Sequence, residues 1–163
     1  MKLIIHDGEE AFNKALKNLF LGEKVKIIMD SGEIKACRGC FGCWVKTPGK
    51  CILQDAYNEM GKNLGHAEEL ILISECVYGT YSPFIKNVLD RSIPYIHPYF
   101  SMRKGEMHHK KRYSKKLRVS VYFYGEMSEQ EKETARKTVK ANILNFNGLL
   151  EEIKFLKRKE DLI

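Results

Sequence analysis

No apolar run in this chain approaches the roughly 18 residues that a membrane-spanning helix needs. The first residues, MKLIIHDG, offer only a short apolar reach before acids begin, which is not a secretory signal. A cytoplasmic protein with no membrane association is therefore expected. Tryptophan is nearly absent, Trp44 being the single one. The cysteines number five, and four of them crowd between Cys37 and Cys51. An odd, clustered set in a reducing compartment excludes a disulfide framework and leaves metal, redox or inert thiols.

What is present is enough for one domain spanning residues 1–163. Hydrophobic residues make up 44% and charged residues 30%, a soluble, globular balance able to bury a core. The net charge of +7 is local: between Arg103 and Arg118 eight basic residues, Lys104 among them, face one acid, Glu106, and that excess equals the whole. A general nucleic-acid binder carries cations over a face, so nucleic acid is not the expected partner. Adjacent His108 and His109 point in different directions on a strand and make a poor metal pair. With Lys110, Lys111 and Arg112 they read as a solvated or partner-facing segment rather than a nucleotide contact.

Along the chain, LII at residues 3–5 suits a doubly buried strand. Asp7 then opens a helix, with Glu10 in a capping-box relation. Phe12, Ala15, Leu16 and Leu19 form its apolar face, and Gly22 ends it. A second strand covers 24–29, and Thr47-Pro48-Gly49 forms a turn inside the cysteine stretch. Asp55 caps a modest helix carrying Tyr57, Met60 and Leu64, which Gly61 weakens by about 1 kcal/mol relative to alanine. Residues 69–74, ELILIS, are the most hydrophobic strand. Ser82 and Pro83 start a helix bearing Ile85, Val88 and Leu89. Residues 94–116 read as a long, irregular basic arm, of the kind that serves function or an interface. A strand at 117–124, a helix opened by the Ser128/Glu131 capping box, and a strand at 152–156 complete the pattern.

Strands alternating with helices predict an α/β fold. The pattern matches a flavodoxin-like three-layer sandwich, with a five-stranded parallel sheet of order 2-1-3-4-5. Too few residues follow the last strand for a final covering helix. One face of the sheet edge is then expected to be covered by the 94–116 arm or by a second copy, so a homo-oligomer, dimer or tetramer, is expected. Ligands in such sheets bind beyond the carboxyl ends of the strands, at the switch point between strands 1 and 3. Cys37, Cys40, Cys43 and Cys51, spaced C-x2-C-x2-C-x7-C, suit a cubane cluster. Zinc, more often held by two separated pairs, and free or redox thiols stay open beside it. Cys76 reads as a structural thiol at a strand edge.

Two stretches resemble a known family. CRGCFGCWVKTPGKCILQD, ending at Asp55, is similar to a segment of the flavodoxin-like NAD(P)H-dependent FMN reductases and the related iron–sulfur flavoproteins. VYGTYSPFIKNVLDR, with Ser74 ahead of it, resembles that family's isoalloxazine loop and following helix, with Gly79, Lys86, Asp90 and Arg91 in matching positions. The resemblance implies FMN at Tyr78, Gly79, Thr80, Tyr81 and Ser82, with the helix N-terminus favouring charge on the reduced ring. It implies NAD(P)H as donor and a 4Fe-4S cluster on Cys37, Cys40, Cys43 and Cys51. Hydride transfer is the cofactor's chemistry, so no catalytic side chain is assigned. The phosphate loop departs from the family. Where relatives carry a Gly-Ser-Pro-Arg type turn, this chain has His6-Asp7-Gly8-Glu9-Glu10. A carboxylate facing a phosphate charge repels it by roughly 1 kcal/mol per pair at 4 Å in water; His6 is the nearby candidate cation. Glu75 and Val77 replace the family's proline and first tyrosine. A redox flavoprotein with an unidentified redox partner is the first expectation. A flavodoxin-like binding or assembly module that has lost FMN is the second.

Overall fold

The structure is a computed structural model and describes residues 1–103 and 105–163; Lys104, part of the basic arm, lies outside the described residues. Strand β1 (Lys2–His6) is central, paired in parallel with β2 (Val25–Met29) on one side and β3 (Glu69–Val77) on the other. Ile4 sits between Ile27 and Ile71 in this register. Beyond β3 follow β7 (Arg118–Tyr124) and β8 (Leu149–Leu156), also parallel, giving the order β2-β1-β3-β7-β8. That is the expected flavodoxin-like sheet. The apolar runs LII and ELILIS form its middle because strands covered on both faces must be apolar on both.

Four helices and one short helical turn pack on it. Helix α1 (Glu10–Leu19) lies alone on one face and seals Phe12 and Leu16 against Ile4, Ile71 and Ile73. On the other face the one-turn α2 (Gly42–Val45) meets the 3-10 turn at Ile93–Tyr95, and α3 (Met60–His66), α4 (Pro83–Arg91) and α5 (Glu129–Asn145) form a layer. These bury Met60, Leu64, Ile85, Val88, Ala135 and Val139 against Leu3, Leu72, Val121 and Phe123. The cap of α5 is as its sequence specifies: Ser128 accepts from the Glu131 amide, and the Glu131 carboxylate accepts from the Ser128 amide. Ser82 likewise caps α4, with Pro83 as its first residue.

Three expectations need correction. Helix α1 begins at Glu10, and Asp7 does not cap it: no side chain makes an N-cap bond there. Asp55 does not cap α3, which starts five residues later at Met60. The described residues of the 94–116 segment are not irregular. A 3-10 turn (Ile93–Tyr95) leads into the antiparallel hairpin β5 (Ile96–Arg103) and β6 (Glu106–Lys111), closed around Gly105 at φ 82°. The hairpin packs on the α3–α5 side: Trp44 donates from Nε1 to the Ile96 carbonyl at 3.0 Å, and Arg103 donates to the Leu144 carbonyl at the end of α5. It therefore does not cover the α1-side face of β7 and β8. That face ends in a single 3-10 turn (Lys159–Leu162) and is lined by polar-ended residues. Tyr122 donates to Glu152, and Lys154 pairs with Glu152 at 2.9 Å, so the bare strip is not a raw apolar patch.

Candidate functional site

The loop at 77–82 and the cysteine stretch lie at opposite ends of α4. The short strand β4 (Thr80–Tyr81) folds back on β3 with Cys76 opposite Tyr81 and Val77 opposite Thr80, so Tyr78-Gly79 is a two-residue hairpin turn. Both turn residues have positive φ, 51° and 75°, the signature of a type I′ turn. Glycine is needed at 79 for a second reason: an added Cβ would stand 2.9 Å from the Glu131 carbonyl oxygen and from Thr134 Cβ on α5. This turn presents Tyr78, 89% exposed, at the head of α4. The other residues assigned to a flavin are differently placed. Thr80 is half-buried, and Tyr81 packs its ring on Phe123 in the core. Ser82 is buried between its cap bond and the Ser74 hydroxyl, which accepts its amide at 2.9 Å. Cys76 is half-buried, and burial pushes its thiol up from the ordinary value.

At the switch point the chain satisfies the Gly8 and Glu75 amides itself, while the first amides of α1 carry no side-chain cap. His6 is fully buried; its Nδ1 accepts the Gly8 amide at 3.2 Å, and its Nε2 lies 3.4 Å from the Asn13 side-chain oxygen. An accepting Nδ1 and a donating Nε2 describe a neutral ring, and burial, outweighing the Asn13 bond and the Asp7 charge, lowers its pKa. His6 is thus not the cation that the sequence suggested. Asp7 accepts the Glu75 amide at 2.9 Å and the Tyr124 hydroxyl at 2.8 Å, locking the ends of β1, β3 and β7 together. Burial first, then the Asp7 charge, raises the Tyr124 pKa. The cation at this loop is Lys159, 2.9 Å from Glu9, carried there by the final turn. A phosphate seat of the usual kind needs free amides and few carboxylates. Here the Gly8 and Glu75 amides are both engaged, and a Cβ on Gly8 would already meet Phe12 at 2.8 Å. The α1 amides stay uncapped, so the misfit with that seat lies in the engaged Gly8 and Glu75 donors and in the carboxylates of Asp7, Glu9 and Glu10.

The cysteine stretch lies at the foot of α4. Eight residues separate Pro83 from Arg91, which at ~1.5 Å per residue sets the two ends about 12 Å apart. Arg91 is fully buried and holds the stretch together. It clasps Asp55 through both terminal nitrogens at 2.6 and 2.8 Å, donates to the Lys35 and Leu53 carbonyls, and donates from Nε to Cys51 Sγ at 3.2 Å. The last residues of the two quoted stretches, Asp55 and Arg91, are therefore one buried ion pair. Cys37, Cys40, Cys43 and Cys51 line a single cavity of about 30 Å³ with Arg91, Phe41 and Pro94. Cys43 and Cys51 are buried, while Cys37 and Cys40 are exposed. Burial, then the neighbouring Cys51, pushes the Cys43 thiol up to about 11, so at neutral pH it keeps its proton. Among the described residues no three His, Cys, Asp or Glu side chains are gathered to hold a metal ion. The donors suit soft metals in kind, but their arrangement does not fit a cluster. Sequence reasoning missed the Arg91–Asp55–Cys51 contact, because an arginine and an aspartate are read as surface residues by default.

No protein-family model matches the chain. An iron–sulfur flavoprotein of Archaeoglobus fulgidus is 32% identical over 95 residues, covering 56% of this chain and 41% of that protein. The chain thus spans about two fifths of the length of the curated relative it matches. An azoreductase from Bacillus anthracis superposes with a TM-score of 0.61 at 13% identity, over 98% of this chain and 88% of its own. The Trp repressor binding protein of Bacillus subtilis gives 0.57 at 12% identity, over 97% and 88%. General stress protein 14 of Treponema denticola, solved with FMN, gives 0.51 at 14% identity, over 95% and 85%. No helix among the described residues is long and apolar enough to cross a membrane. The fold is flavodoxin-like, and over 95 residues the sequence is similar to an iron–sulfur flavoprotein.

Proposed function

We propose that the chain is a redox protein of the FMN-reductase and iron–sulfur flavoprotein kind, in which NAD(P)H and FMN are exchanging substrates rather than residents of a phosphate seat. The observation that carries this reading is the pair of centres on α4. An exposed aromatic ring, Tyr78, stands at its head, and a four-thiol pocket with a buried guanidinium on Cys51 stands at its foot. With the ~12 Å length of α4 between them, a ring on Tyr78 and the thiols are not placed for direct hydride exchange, which needs reacting atoms about 3–3.5 Å apart. The chain's own part is to offer a stacking face at Tyr78 and to hold the thiol loop rigid through Arg91.

The test is FMN titration followed by flavin fluorescence, with NAD(P)H oxidation measured in the same buffer. Micromolar, reversible binding that Tyr78→Ala weakens roughly tenfold is the expected result. FMN that co-purifies at one per chain would overturn the exchanging mode, and no binding at any concentration would overturn the redox reading. The second reading, a module that has lost FMN, is favoured by the engaged Gly8 and Glu75 amides, and that last outcome would establish it. Self-association belongs to the proposal, through the uncovered β7–β8 strip. Sedimentation should give twice the 18.9 kDa chain mass or more, and a monomer at micromolar concentration would exclude it.

A further inference from the structure

At the pole of the sheet opposite the flavin rim, the basic hairpin closes over the amino ends of β7 and β8. Between them lies a cavity of about 680 Å³, walled by Arg103, Lys110, Lys111, Lys116, Asn147 and Leu149 among others. Four of its lining residues are cations and none is a carboxylate. Among the described residues Lys110, Lys111 and Lys116 enter no ion pair, although the chain carries exposed acids elsewhere that other lysines use. Like charges gathered around one concavity repel unless an anion joins them.

The wall itself is built around Arg103. Arg103 is fixed by its terminal nitrogens, which donate to Leu144, Asn147 and His109, so it caps the carboxyl end of α5. Its Nε, and the side-chain nitrogen of Asn147 beside it, are buried with no hydrogen-bond partner among the described residues. Both are pure donors. Buried donors left unmatched are rare; both lie within the wall, out of solvent's reach, and the contacts offered to a ligand are those of Lys110, Lys111 and Lys116. Asn147 is held there by a left-handed backbone, φ 56°, immediately before Gly148.

We propose that this cavity binds a small, phosphate-rich anion carrying at least two phosphate groups, of the nucleoside diphosphate or pyrophosphate class. The size suits a compact organic ligand, donors line it without acceptor side chains of opposite charge, and the lysines supply charge-assisted bonds to phosphate oxygens. A concave site on one side of a hairpin differs from the extended stripe that tracks a nucleic-acid backbone.

Calorimetric titration of the full chain with pyrophosphate, ADP and inorganic phosphate, all at one ionic strength, tests this. One-to-one binding of pyrophosphate and ADP is expected, with inorganic phosphate much weaker. The Lys111→Ala/Lys116→Ala double variant should weaken pyrophosphate binding by roughly tenfold or more. Lys14→Ala/Lys17→Ala, which removes the same charge from α1, should change it less than twofold. Absence of saturable pyrophosphate binding, equal loss in both double variants, or tight binding of duplex DNA without pyrophosphate binding would each overturn the proposal.

Discussion

Replacing Arg91 with alanine is expected to destabilise the chain by about 3–5 kcal/mol, the cost of leaving a buried charge without its partner. At ~2–4 °C per kcal/mol for a domain of this size, thermal unfolding should shift down by roughly 10 °C. The side chains of Arg91 and Asp55 are 0% and 5% exposed, so water cannot replace the lost bonds. The same change removes the donor on Cys51 and frees the Lys35 and Leu53 carbonyls, so the cysteine stretch should loosen. Faster modification of Cys43 and Cys51 by a thiol reagent would report this, against unchanged rates at the exposed Cys37 and Cys40. Acid sharpens the test. Burial alone would raise the Asp55 pKa, but the Arg91 bonds and the Lys35 and Tyr57 amides outweigh it and hold the carboxyl below its ordinary value. A carboxylate depressed in the folded state contributes stability that is full above its unfolded pKa and is lost as pH falls through the folded one. The gap between wild type and Arg91→Ala should therefore narrow as pH falls below the ordinary aspartate range. A loss under 1 kcal/mol, or a gap independent of pH, would show that the pair contributes nothing net.

The sheet was legible because its signal is local. LII, ELILIS and LRVSVYFY are short apolar or alternating runs, and alternation with helices leaves few ways to order them. The Ser128/Glu131 box and the Ser82-Pro83 start were readable for the same reason: each bond spans three residues. The hairpin at 96–111 was not, since its pairs join residues up to 15 apart, Ile96 with Lys111, and an irregularity interrupts the register before Phe100. Pro98 and the run HHKK hid it further. One signal was there: Gly105 stands between two runs of similar length, which is the spacing of a hairpin with a glycine in its turn.

The site was legible as a set of residues and not as a geometry. Cysteine spacing placed four thiols together, and they do line one cavity. It could not show that Arg91, 40 residues from Cys51, would enter that cavity, or that Asp55 would face it. Nor could the acidic loop show that Lys159, at the far end of the chain, would neutralise Glu9, or that His6 would turn inward and give up its charge. These are tertiary contacts between polar residues. Pattern reasoning sees hydrophobic periodicity, and buried polar pairs carry none.

Gly61→Ala shows the same lesson with a reversed sign. Helix propensity alone makes alanine better than glycine by about 1 kcal/mol inside α3. The structure predicts the opposite, a loss of about 1–3 kcal/mol. A Cβ at position 61 would stand 2.7 Å from Pro94 Cβ and 2.9 Å from the Pro94 carbonyl carbon and the Tyr95 nitrogen. Two of those three obstacles are backbone, fixed in the 3-10 turn that launches the hairpin, so the helix cannot be relieved by a rotamer change. Relief would require α3 and the turn to part, opening the contact that buries Tyr95. Gly65, one turn on, would meet the ring of Tyr113 instead, and a half-buried side chain can swing away. Urea unfolding should therefore rank Gly61→Ala below Gly65→Ala, and both below Lys62→Ala, which tests propensity on the exposed face. If Gly61→Ala proves as stable as wild type, the turn yields more readily than its two-sided packing implies. The close helix–turn approach would then not be what requires glycine at this position.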